Sequence, residues 1–79
     1  MNYIERMEKE LEELNNKIKK CIKFINKEHK SKEPITDEYQ RTSLTMQVQF
    51  MSLYADVLED RIEYEKEKLK QDTSNIKWN

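Results

Sequence analysis

Lys20, Lys23 and Lys27 recur at i, i+3 and i+7, a spacing that stacks three ammonium groups on one face of a helix. Tyr39, Arg41 and Gln47 follow just after the one segment in which the chain must turn. Lysine and arginine bind phosphate, an aromatic ring stacks on a base, and an amide reads polar edges. The six residues therefore outline a site for a phosphate-bearing nucleotide. A plainer reading stands beside it: lysines near the C-terminal end of a helix complement its dipole and keep the surface hydrated.

Catalytic alternatives are thinner. His29 and Cys21 lie eight residues apart with no third or fourth ligand nearby, so neither a metal nor a cofactor is expected. Glu59, Asp60, Glu63, Glu65 and Glu67 alternate with Arg61, Lys66, Lys68 and Lys70, which makes a solvated face rather than a carboxylate pair in a cleft. With no nucleophile placed beside a base, the chain reads as a binding protein and not an enzyme.

Charge is segregated beneath a net of -1. Residues 1–14 carry five acids and two bases, residues 15–32 carry seven lysines and one acid, and the remainder carries ten acids and six bases. The flanking acids would repel a long polyanion, so extended nucleic acid is not the expected partner. A small anion is the better match.

Placing those residues requires elements. The chain has 79 residues, 39% of them charged, and no glycine, which removes the residue that tight β turns use for positive φ and favours long helices. Ile4, Met7, Leu11, Leu14, Ile18, Cys21 and Ile25 keep spacings of three and four, a heptad seam that predicts a first helix over about 2–28. Pro34 predicts a loop at 29–35, and Thr36 stands where an N-cap belongs, ahead of Asp37 and Glu38, so a second helix is predicted over about 37–70. Residues 72–79 lose the periodicity and read as a flexible tail in which Ile76 and Trp78 are the only large apolar groups.

The second helix poses a puzzle at 43–58, SLTMQVQFMSLYADVL, whose first half alternates like a strand. A strand there would run into a helix with no turn residue between them. As one helix, the segment carries two stripes: Leu44, Val48, Met51, Ala55, Leu58, Ile62 and Leu69 on one side, and Met46, Phe50, Leu53, Val57 and Tyr64 on another. One stripe suffices to zip against the first helix. The surplus stripe predicts an oligomer interface at Met46, Phe50, Leu53 and Val57. The expected fold is all-α: an antiparallel two-helix hairpin over 1–71 that assembles into an oligomeric helical bundle. One cysteine and no stretch of 18 apolar residues predict a soluble protein of a reducing compartment, with no membrane partner.

With both seams in place, the chain resembles the small helical-hairpin accessory proteins of tailed, crAss-like bacteriophages. The resemblance rests on YIERMEKELEEL with Lys17, Ile18, Lys20, Phe24 and Ile25, and on Leu44, Gln47, Met51, Tyr54, Leu58, Arg61 and Ile62. Tyr3, Arg6, Gln47, Tyr54 and Arg61 are its less generic part. The loop departs from that pattern at Glu33, Pro34 and Ile35 and at Arg41, Thr42 and Ser43. The resemblance implies a phage protein of the bacterial cytoplasm. A more distant likeness to phage sponges of the anti-CBASS and anti-Thoeris type implies sequestration of a cyclic or ADP-ribose-type nucleotide signal in pockets between subunits. The alternative, from a different class, is a protein-protein inhibitor or assembly factor that works through the apolar face.

Overall fold

In the computed structural model, residues 2–78 are described, with side chains through residue 70. Two helices make up the fold: α1 (Tyr3–Lys30) and α2 (Glu38–Trp78). They form the antiparallel all-α hairpin that the seams predict.

Each helix starts on a side-chain cap. Asn2 Oδ1 accepts the Glu5 amide at 2.8 Å and opens α1. At α2 the cap is Asp37 rather than the expected Thr36. Asp37 Oδ1 accepts the Gln40 amide at 2.8 Å while Gln40 Oε1 accepts the Asp37 amide at 2.9 Å, a reciprocal capping box. Thr36 is drawn off to another partner, described below. The first helix also runs two residues past the predicted end, to Lys30, and the turn occupies residues 31–37. Ser31 ends α1, its amide reaching back to the Glu28 carbonyl at 3.2 Å.

The core is the predicted inner seam. Met7, Leu14, Ala55, Leu58 and Ile62 are buried together, with Ile4, Leu11, Ile18 and Met51 packed around them, and Leu58 is fully enclosed. Burying one such side chain stabilises a fold by about 1.5–3 kcal/mol, so this single seam holds the hairpin together. Leu69, assigned to the seam from its spacing, is instead 56% exposed. It lies past Arg61, which contacts Tyr3 at the first turn of α1. The tail expected at 72–79, with Ile76 and Trp78, lies outside the residues whose side chains are described. Among the described residues no helix is long and apolar enough to cross a membrane.

Candidate functional site

The turn is fastened by a buried acid. Glu28 is 6% exposed, and its Oε1 accepts both the Thr36 amide at 2.8 Å and the Thr36 hydroxyl at 2.5 Å. The hydroxyl bond is the main cause that holds the Glu28 carboxyl below its ordinary pKa; desolvation opposes it, and the amides of Thr36 and Ile35 and the charge of Arg41 add to it. Arg41 closes the arrangement by donating Nη1 to the Thr36 carbonyl and to the Thr36 hydroxyl. Of the six predicted ligand residues, Arg41 is thus the one already engaged within the chain. Glu28 escaped the sequence reading although a signal existed: it takes the next seam position after Ile25, where an acid needs a special reason to be.

The three lysines are where the spacing puts them, exposed on one face of α1. At 100° per residue they lie roughly 160° around the helix from the seam, on the side turned away from α2. Among the described residues none of them forms an ion pair; the only pairs are Lys66 with Glu8 at 3.1 Å and Lys70 with Glu67 at 4.0 Å. The basic face is electrostatically unspent.

Tyr39 belongs to the opposite side of the molecule. Tyr39 is 80% exposed, and it falls in line with Met46, Phe50, Leu53 and Val57 on the side of α2 that faces away from α1. Gln47 is exposed on the edge of α2 between that line and the inner seam. The interface residues expected from the surplus stripe therefore have no cover among the described residues: Phe50 is 64%, Leu53 61% and Val57 51% exposed. The lysines and Tyr39 stand on opposite outer faces of one hairpin. No ligand can touch both sets within a single chain.

The concave space is differently charged. A groove of about 610 Å³ runs along the helix junction and is lined by Glu8, Glu12, Glu59, Asp60 and Glu63 among others. Such a lining repels phosphate. A smaller cleft of about 280 Å³ near the turn is lined by His29, Glu38, Arg41, Thr42 and Thr45. Among the described residues no cluster of His, Cys, Asp and Glu could hold a metal ion.

Three of the less generic residues of the sequence, Tyr3, Tyr54 and Arg61, have structural work. Tyr54 donates its hydroxyl to Glu10, and this bond, with burial and the Glu10 charge, pushes the phenol above its ordinary pKa while Arg61 opposes the shift. Arg61 donates to the Tyr3 hydroxyl and stacks its guanidinium 5.8 Å from the ring centre. Both contacts bridge the two helices, so Arg61 acts in packing, as its distance from the basic block suggests.

A hairpin with one buried seam and one open apolar face defines a small helical-hairpin protein with an unpartnered surface. Residues 1–64 match the Sequestin family, and the chain belongs to that family. The match ends at Tyr64, the last residue of the outer stripe. No curated protein and no solved structure matches the chain.

Proposed function

We propose that the protein is a non-enzymatic, self-associating phage protein that sequesters a small anionic nucleotide signal, of cyclic or ADP-ribose type, in sites between subunits in the bacterial cytoplasm. The observation that carries the reading is the unneutralised lysine face of α1, in a family whose name is that of a sequestering protein. Lys20, Lys23 and Lys27 contact phosphate, Tyr39 stacks the base and Gln47 reads its polar edge. Arg41 contributes less, because Nη1 is committed to the turn. Opposite placement of the lysines and Tyr39 means that the full site forms only between chains. A binding site shared in this way couples ligand capture to assembly.

A second reading, a blocker of a host protein that uses Met46, Phe50, Leu53 and Val57, is favoured by the exposure of that stripe. Thermal denaturation with a panel of cyclic di- and trinucleotides and cyclic ADP-ribose isomers separates the two. A true ligand at 100 times its Kd adds about 2.7 kcal/mol of stability, and the triple change of Lys20, Lys23 and Lys27 to Gln removes that gain while helicity is kept. A panel without any shift would overturn the nucleotide reading.

A further inference from the structure

The outer face of α2 is a second heptad seam, and its spacing is the same in both directions. From Tyr39 it proceeds through Ser43, Met46, Phe50, Leu53 and Val57 to Asp60 and Tyr64, alternating steps of four and three throughout. Its large apolar members are exposed, from Met46 at 49% to Tyr39 at 80%. A seam of that regularity is built for another helix. From its symmetry we infer that the occupant is a second copy of this chain, docked antiparallel through α2 about a two-fold axis between Met51 and Ser52.

The pairing follows from the positions. With the axis there, Phe50 meets the second copy's Leu53 and Met46 meets its Val57, so every inner layer is apolar on both sides. Ser43 meets the second copy's Asp60, which joins the two polar members of the seam to each other. Tyr39 meets the second copy's Tyr64 at each end. Sliding one helix by a heptad would set Asp60 against Phe50, or Ser43 against Leu53, and leave a polar group without a partner in an apolar layer. A parallel pair would be worse, because it brings two Asp60 carboxylates face to face and lays the two lysine-rich ends side by side.

Charges along the edges agree with the same alignment. Thr42 and Gln49 flank the seam on the edge where the second copy presents Glu63 and Asp56, and Gln40 lies opposite its Arg61 on the other edge. No like charges meet. The basic turn end of one chain is brought beside the acid-rich half of the other, and the α2 dipoles oppose. The seam also ends at Tyr64, close to where α1 stops backing α2 at the contact of Tyr3 with Arg61. The dimer is thus a layer of four helices with the two α2 helices at its centre and the lysine faces of both α1 helices on its outside, so the ligand site of the proposed function, which takes lysines and Tyr39 from different chains, lies between two such dimers.

This inference rests on the self-association in the proposed function and not on its ligand, and it is tested without any nucleotide. In a Cys21→Ala background, a Ser43→Cys chain and an Asp60→Cys chain are oxidised separately and mixed. Covalent dimer is expected only from the mixture, and again only from the mixture for the flanking pair Thr42→Cys and Glu63→Cys, which covers a loss of folding in the first pair. Covalent dimer from Ser43→Cys alone, absence of cross-linking in both mixtures, or a monomer by light scattering would each overturn it. Nucleotide binding measured separately then succeeds or fails on its own.

Discussion

The two sides of α2 carry nearly the same chemistry and meet opposite fates. On the inner side Ala55, Leu58 and Ile62 are 6%, 0% and 6% exposed, whereas on the outer side Phe50, Leu53 and Val57 are 64%, 61% and 51% exposed. Both sides repeat at spacings of three and four. What separates them is a partner: α1 covers one seam and, among the described residues, nothing covers the other. Hydrophobic spacing therefore tells how many faces a helix wants to bury, and the number of helices in the chain tells how many it can bury alone.

That contrast can be broken most directly from the inside. Leu58→Ala should cost about 2–5 kcal/mol, read from the midpoint of urea unfolding followed by circular dichroism, because it empties the best-packed position of the only seam closed within the chain. A negligible loss would mean that the inner seam does not hold the fold. On the outer side, Phe50→Glu places a carboxylate in the open seam, and light scattering at micromolar concentration should then report a smaller species than for the unaltered protein. If both proteins have the same size, the outer stripe is not an interface and the comparison between the faces loses its meaning.

The smallest effect sharpens the comparison at the end where the faces diverge. The Glu28 carboxyl is held below its ordinary pKa, so its contribution is present above the unfolded value and is lost as pH falls through the lower folded value. Thermal unfolding should consequently show a fall in Tm on acidification that Glu28→Gln reduces, with the variant already less stable at neutral pH. An unchanged pH profile would show that the turn is held by something other than this carboxylate.

Much of this was legible from spacing. The hairpin, the inner seam and the existence of a surplus stripe follow from where Leu, Ile, Met and Phe recur, since both faces of a helix are fixed once its period is known. The turn was less legible. Thr36 and Asp37 are both good capping residues, and the choice between them depended on Glu28, whose demand for the Thr36 amide and hydroxyl comes from across the turn and leaves no local trace. The site was legible by the same rule. Once the two inner seams are fixed, helical phase alone puts Lys20, Lys23 and Lys27 on the outer face of α1 and Tyr39 on the outer face of α2, and their nearness to the turn along the axis hides that separation.

The clasp at the turn also settles an ambiguity that the seam alone would leave open. A heptad pattern is nearly degenerate under slippage, for if one helix slides past the other by seven residues, leucine again faces isoleucine and little apolar contact is lost. Glu28 has no such freedom. Shifted by a heptad, about 10 Å along the axis, its carboxylate would leave Thr36 and lie buried without a donor, which is a far greater penalty than an imperfect apolar layer. One acid at the end of an apolar stripe thereby distinguishes a single alignment among several that leucines and isoleucines cannot tell apart.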